Sequence, residues 1–309
     1  MRRQIHGILL LDKPAGVTSN GALQRVKRLF YAKKAGHTGS LDPIATGMLP
    51  ICFGEATKFS QFLLESDKSY SVVAKFGART TTGDCEGDII ETQPIIGVTP
   101  VRIEQVMMKF LGEIDQIPPM FSAIKYQGRP LYELARRGIE IDRKPRKIKI
   151  FSLILEKLDT DEATFHVHCS KGTYVRTLIE DIGRELGCGA HVIRLHRVAV
   201  APYGKAFMHT LPALEAIAES RGIGELTACL LPVETSVQEY PAVKLSTSAA
   251  FYLRMGQPVR TSLPLDSALV RLVSEDARFF GVGEVMPDGR VRPHRLLSTQ
   301  DITASVPET

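Results

Sequence analysis

The sequence of 309 residues contains no tryptophan, and none of its five cysteines forms a C-x-x-C pair with another. Without tryptophan, any stacking on a nucleobase has to use tyrosine, phenylalanine, histidine or arginine. An odd number of scattered cysteines gives little support to a disulfide framework or a thiolate zinc site, and it is typical of reduced thiols in the cytosol. We therefore expect no bound metal, and no motif indicates a cofactor.

Long apolar runs are absent as well. No stretch approaches the roughly 18 apolar residues that span a membrane. The apolar run 8–11 ends at Asp12, Lys13 and Pro14, so it is shorter than the about 7–15 apolar residues of a secretory signal. The sequence therefore predicts a cytoplasmic protein without a membrane partner, and it gives no sign of a protein partner.

The remaining composition is that of a folded protein. Hydrophobic residues make up 44% and charged residues 24% of the chain, close to ordinary globular values. The length corresponds to one large domain or two. A net charge of +5 permits a nucleic-acid partner without requiring one.

Apolar periodicity and turn residues predict an alternation of helices and strands. The first helix is expected to be capped by Ser19, and the glycine- and proline-rich stretch 35–50 is expected to be a loop. The predicted helices are 20–33, 56–64, 101–111, 175–186 and 211–220; the predicted strands are 8–11, 69–76, 148–157, 163–170 and 191–200.

Two regions differ from this pattern. Residues 116–147 contain eight basic and three acidic residues, and they form either a solvated charged face or a basic arm that clamps a phosphate backbone. After residue 240 short β-rich runs are separated by glycine, proline and aspartate, which predicts a small β-barrel-like module over 241–309. We therefore divide the chain into 1–240 and 241–309.

The densest chemical signal lies in the stretch 36–50, where Asp42 directly precedes Pro43. An Asp-Pro pair in a loop is often only a turn. No second acid lies near in sequence, which argues against two-carboxylate glycoside hydrolysis, whereas one carboxylate can serve as a nucleophile or a general base. A buried carboxylate requires a cation, and Arg176 is the candidate.

Several segments in one order resemble the TruB family of tRNA pseudouridine-55 synthases. The segments begin with LLDKPxG at 10–16 and GHTGSLDPxATG at 36–47, and they continue with SY at 69–70, PPxxSAxK at 118–125 and KGTYVR at 171–176. The resemblance implies an α+β pseudouridine synthase fold, with a mixed, largely antiparallel sheet flanked by helices. It also implies an RNA-binding thumb at about 116–147 and a PUA-like module over 241–309.

The same resemblance assigns the central roles. Asp42 matches the catalytic aspartate, and Arg176 matches the arginine that pairs with it. From this pairing we expect the pKa of Asp42 to be held down. Tyr70 matches the tyrosine that stacks on the target base and takes part in proton transfer. Asp84 matches a further family position, although a turn role explains it equally well.

The resemblance assigns four further residues to the substrate. Tyr174 and Leu195 match positions that line the uracil pocket. His37 matches the histidine that reaches the RNA where the base has been extruded. Lys13 matches a lysine expected to support the Tyr70 side of the pocket.

The implied reaction isomerises uridine to pseudouridine in the T-loop of tRNA, at position 55, after the base has been flipped out. The implied partner is the T-arm of tRNA, and the family is monomeric. Three alternatives stay open: a tRNA-folding chaperone without essential catalysis, an enzyme for a different uridine or RNA, and a glycosylase that releases uracil. The role of Asp42, whether attack on C1′, attack on the base or deprotonation of the ribose, also stays open.

Overall fold

A computed structural model describes residues 2–261 and 267–298, and these residues form eighteen strands and seven α-helices. The strands are β1 (Gly7–Lys13), β2 (Ala35–His37), β3 (Thr46–Phe53), β4 (Lys68–Phe76), β5 (Ala78–Thr80), β6 (Ile89–Thr92), β7 (Gly112–Gln116), β8 (Lys125–Tyr126), β9 (Arg129–Pro130), β10 (Arg146–Asp159), β11 (Glu162–Cys169), β12 (Ala190–Val200), β13 (His209–Thr210), β14 (Ala242–Lys244), β15 (Val259–Arg260), β16 (Leu269–Val273), β17 (Phe279–Val285) and β18 (Arg290–Leu296). The helices are α1 (Ser19–Leu29), α2 (Ser60–Glu65), α3 (Pro100–Met107), α4 (Leu131–Ala135), α5 (Val175–Leu186), α6 (Leu211–Arg221) and α7 (Thr247–Arg254).

Nine strands form the central sheet, in the order β13-β1-β3-β12-β4-β11-β10-β7, with β2 added alongside β3. Within this sheet β1 with β13 and β3 with β12 pair in parallel, and the other neighbours are antiparallel. The predicted mixed, largely antiparallel sheet is confirmed. Parallel pairing of β12 with β3 brings the ends of distant segments side by side at the centre of the sheet.

Helices α1, α3 and α5 bury their apolar faces in the main core beside the sheet. The clearest case is α5, whose Leu178, Ile179 and Ile182 are fully buried. This helix ends at Gly187, which adopts a left-handed φ of 80°, a conformation that glycine reaches without a Cβ clash. The structure therefore gives this helix the bounds that its periodicity predicts.

Two predictions around the first helix are wrong. Helix α1 stops at Leu29, and its cap is Thr18, whose side chain accepts from the Gly21 amide. The stretch 35–50 holds β2 and most of β3, so only residues 38–45 form a loop. The glycines and prolines of this stretch obscured the strands, which are fixed by the pairing of β3 with β1 and of β2 with β3.

Residues 116–147 contain the short β8–β9 hairpin and helix α4, neither of which the sequence pattern predicted. Beyond residue 241 a five-stranded sheet has the order β14-β16-β17-β18-β15 and carries α7, also unpredicted. Parts of the predicted module, 262–266 and 299–309, lie outside the described residues. No helix within the described ranges is long and apolar enough to cross a membrane.

Candidate active site

The loop 38–45, between β2 and β3, carries Asp42 and is fixed by backbone hydrogen bonds. The Ser19 hydroxyl donates to the carbonyl of Leu41 at 2.9 Å and accepts from the Leu41 amide at 2.7 Å. The carbonyl of Pro43 accepts from the Gly16 amide at 2.8 Å. Asp42 is therefore held between two anchored neighbours.

Arg176, the second residue of α5, lies opposite this loop and is 4% exposed. Its Nε is 2.9 Å from Oδ2 of Asp42, and its Nη1 is 3.6 Å from Oδ2 of Asp84. The predicted Asp42–Arg176 pairing is present in the structure, whereas its role in catalysis stays a prediction. Asp84 also accepts from the Thr82 hydroxyl at 2.6 Å, so it serves the turn and the arginine together.

Burial raises the pKa of Asp42 above its ordinary value, while the charge of Arg176 and, more weakly, that of Lys13 act in the opposite direction. The lowering contribution expected from Arg176 is therefore present, but burial outweighs it. The side chain is 39% exposed, and its exposed part faces a cavity. The nearby charge of Asp84 adds to the increase. Removing water thus outweighs the attraction of one guanidinium.

A cavity of about 330 Å³ opens beside Asp42. Tyr70 enters it from β4 and Leu195 from β12, while Tyr174 and Arg176 enter it from the start of α5. Burial raises the pKa of Tyr70, so its hydroxyl is neutral at ordinary pH. Aromatic rings beside an apolar wall are side chains between which a planar base can stack, and this cavity has both next to a carboxylate.

His37 does not line this cavity. It lies on the other side of Asp42, in an adjoining cavity of about 690 Å³ that Asp42 and Arg176 also line. Burial lowers the pKa of His37, with a further contribution from the charge of Arg197. Tyr132 of α4 and Arg136, which follows that helix, also line the second cavity. Asp42, Arg176 and residues 121–123 line both cavities, so the two make one groove.

Lys13 lies beside the Asp42 loop. Its amine is fully buried and donates to the carbonyls of Pro14 at 2.8 Å, Val17 at 2.7 Å and Pro43 at 3.3 Å. Through Pro43 the amine holds the Asp42 side of the site, and the role expected of Lys13 on the Tyr70 side stays a prediction. Burial lowers its pKa to about 8, against the charge of Asp42.

The sequence pattern did not identify some of the residues that shape the site. The Gln116 amide, 3% exposed, accepts from the Tyr174 amide at 2.8 Å and donates to the Tyr174 carbonyl at 3.1 Å. Ser19 was expected to cap a helix, but it holds the Asp42 loop. Both side chains bond the backbone of a distant segment, and no local pattern signals such a partner.

The fold identifies the class of protein to which this chain belongs. A chain in the crystal structure of a Cbf5–Nop10–Gar1 complex superimposes with a TM-score of 0.74 and 26% identity, covering 96% of this chain and 86% of that one. A chain in an H/ACA RNP bound to a substrate RNA containing 2′-deoxyuridine has the same fold, with a TM-score of 0.73 and 24% identity. The protein thus has the pseudouridine synthase fold that the sequence predicts.

Comparison of the sequence with known proteins identifies the family within this class. Residues 27–175 match the model described as TruB family pseudouridylate synthase (N terminal domain), and residues 176–238 and 241–297 match two C-terminal models of the same enzymes. The tRNA pseudouridine synthase B of Coxiella burnetii is 53% identical over 96% of both chains, and that of Vibrio parahaemolyticus is 51% identical over 97% of both. The chain therefore belongs to the TruB family, whose members are isomerases.

Proposed function

We propose that this enzyme isomerises uridine to pseudouridine at position 55, in the T-loop of tRNA. The observation that carries the proposal is the Asp42–Arg176 pair, 2.9 Å apart, in a cavity shared with Tyr70, Tyr174 and Leu195. The similarity to proteins named tRNA pseudouridine synthase B supports tRNA as the substrate.

In the proposed reaction the N1–C1′ bond breaks, the uracil turns, and C5 bonds to C1′. The proton of C5 passes to solvent and N1 gains a proton, so atoms balance without a group donor. A base stacked inside a folded T-loop has to be flipped out first, which costs a few kcal/mol. Stacking on Tyr70 and contact with Leu195 offset this cost.

Asp42 acts in its ionised form in each route considered: attack on C1′, attack on the ring, or removal of a ribose proton. Arg176 stabilises that ionised form, because its guanidinium lowers the pKa that burial raises. Since the arginine is itself buried, neutralising Asp42 would leave its charge with only the longer contact to Asp84. The pair therefore holds the carboxylate in one orientation as well as in one charge state.

The substrate surface in this proposal extends over the groove beside the cavity. Residues 116–147 carry a local excess of five positive charges, which suits a thumb that contacts phosphates of the T-arm. His37, in the second cavity, fills the space that the flipped base leaves. The module over 241–309 adds a second RNA-binding surface, and the enzyme acts as a monomer in the cytoplasm, where its substrate is.

The test maps pseudouridine in an unmodified tRNA transcript after treatment with the enzyme, beside a transcript whose U55 is replaced by cytidine. We expect one pseudouridine, at position 55, and none in the second transcript. Pseudouridine elsewhere would contradict the assigned position, and free uracil among the products would identify a glycosylase. Bound but unmodified tRNA would favour a folding chaperone.

A further inference from the structure

Arg197, in strand β12, has one of the largest fully buried side chains of the protein, with 1% exposed. Its Nε donates to the Met48 carbonyl at 2.7 Å, and its Nη2 donates to the Gly39 carbonyl at 2.9 Å. Gly39 precedes Asp42 in the loop and Met48 follows it in β3. One guanidinium thus binds the chain segments on both sides of Asp42.

The backbone of Arg197 is fixed as tightly as its side chain. In the parallel pairing of β12 with β3, Arg197 lies opposite Gly47. A Cβ atom on Gly47 would lie 2.3 Å from the Arg197 carbonyl oxygen, and Gly47 has a left-handed φ of 96°. Only glycine permits this approach, so the contact fixes where the guanidinium enters the site.

On its other side Arg197 pairs with Tyr70. The two residues are directly opposite in the antiparallel pairing of β12 with β4, so their side chains share one face of the sheet. Both side chains line the cavity. The guanidinium also interacts with the Tyr70 hydroxyl and partly offsets the effect of burial on the pKa of that group.

The charge environment of Arg197 differs from that of Arg176. Arg176 is paired with Asp42 and Asp84, but no carboxylate within 2–261 and 267–298 forms an ion pair with Arg197. Carbonyl dipoles and the Tyr70 hydroxyl are its partners. A buried arginine without an acid is costly to keep, which points to a role other than stabilising the fold.

We propose that Arg197 is a positioning residue of the isomerisation, one that fixes the Asp42 loop and the Tyr70 ring relative to each other. The carboxylate and the ring then meet the flipped base in a single geometry. This inference rests on the proposed function, because it assigns to Asp42 and Tyr70 the roles given there.

The test compares Arg197→Lys, Arg197→Met, Tyr70→Phe and the double variant Arg197→Lys/Tyr70→Phe. Single-turnover tritium release from C5-labelled tRNA gives the rate, and filter binding gives the Kd.

Displacing reacting groups by about 1 Å costs about 100-fold in rate, so we expect about that loss for Arg197→Met and about 10-fold for Arg197→Lys. The Kd should change less than about threefold, since the binding surface is intact. Arg194→Lys is the control, because Arg194 lies on the same strand with 74% of its side chain exposed.

A shared geometry predicts that the double variant loses less activity than the product of the two single effects. Multiplicative losses would show that Arg197 and Tyr70 act independently, and that would overturn the inference. Normal activity in Arg197→Lys would overturn it as well, and this variant decides the question if Arg197→Met does not fold. A wild type that releases no tritium would instead contradict the proposed function itself.

Discussion

Arg176 donates from Nε to Asp42 across 2.9 Å, and its Nη2 donates to the carbonyl of Phe121 at 2.8 Å. One guanidinium therefore connects the carboxylate on the loop 38–45 with the basic segment 116–147. Its position on the first turn of α5 is set by Gln116, which bonds both backbone groups of Tyr174 just before that helix. The groups that hold the carboxylate and those that line the groove are thus parts of one network.

Replacing Arg176 by methionine should remove the cation that stabilises ionised Asp42. Removing one preorganised donor at a reacting group costs about 100-fold or more in rate, so we expect a rate at least about 100-fold lower. The guanidinium lowers the pKa of Asp42, so its removal should move the acidic limb of the pH–rate profile to higher pH. Tritium-release rates across a pH series measure both effects.

Arg184→Met is the matched control for that variant. Arg184 lies on the same helix and pairs with Asp181 at 2.7 Å, but 61% of its side chain is exposed. We expect its rate within about twofold of the wild type, because exposed pairs contribute little. A near-normal rate for Arg176→Met would contradict the role given to the Asp42–Arg176 pair.

Activity should also fall on the alkaline side. The pKa of Lys13 is lowered to about 8 by burial, and a deprotonated amine has fewer hydrogens for the three carbonyls that it bonds. Because one of these belongs to Pro43, loss of the proton should loosen the neighbour of Asp42 above pH 8. The pH dependence of kcat/KM reports this limb.

Lys68 provides the comparison, since its pKa is also about 8. Its amine donates to carbonyls at the end of α2, among them that of Leu64 at 2.8 Å. The alkaline limb should therefore persist in Lys68→Met and be lost from the residual activity of Lys13→Met. If the alkaline limb disappears in Lys68→Met and persists in Lys13→Met, it arises from Lys68, and the role given to Lys13 is wrong.

Ser19→Ala should reduce both stability and activity. The substitution leaves the Leu41 amide and carbonyl without the serine hydroxyl, at a cost of about 1–3 kcal/mol, and it frees the residue next to Asp42. Thr99→Ala is the matched variant, because it removes the cap of α3, a helix that does not line the site, at a cost of about 1 kcal/mol. Thermal unfolding should show lower stability in both variants, while the turnover rate should fall in Ser19→Ala alone. Equal rates in the two variants would contradict a role for Ser19 in the loop.

Gln116→Leu tests the junction between residues 116–147 and the cavity. Leucine has a similar size but bonds neither backbone group of Tyr174, so we expect a loss of about 1–3 kcal/mol in the free energy of unfolding and a higher KM. Glu113→Gln is the control on the same strand, where Glu113 forms an exposed pair with Lys147. A normal KM in a destabilised Gln116→Leu enzyme would limit Gln116 to stability alone.

The sequence predicted those features that local pattern determines. Helix α5 was bounded correctly because its apolar residues recur every three to four positions and Gly187 stops it. Strands β2 and β3 were missed because the glycines and prolines between 36 and 50 indicate turns. These residues become extended through the pairing of β3 with β1 and of β2 with β3.

The sequence predicted the site residues that lie in motifs, but not those that act through tertiary contacts. The residues carried by motifs, Asp42, Tyr70 and Arg176, were named in advance, and the structure brings them together. Ser19 and Gln116 act through hydrogen bonds to the backbone of distant segments, so their contribution depends on the tertiary structure. The lowering effect of Arg176 on the pKa of Asp42 was predicted, whereas the burial that outweighs it depends on the tertiary structure.

The most direct test of the central claim is tritium release from tRNA labelled at C5 of uridine, with wild type beside Asp42→Asn. Asparagine keeps the size of the side chain but cannot ionise. We expect one equivalent of tritium per tRNA from the wild type and none from Asp42→Asn, which should still bind the tRNA with little change in Kd. Release by Asp42→Asn at the wild-type rate, or none by a wild type that binds the tRNA, would contradict the central claim.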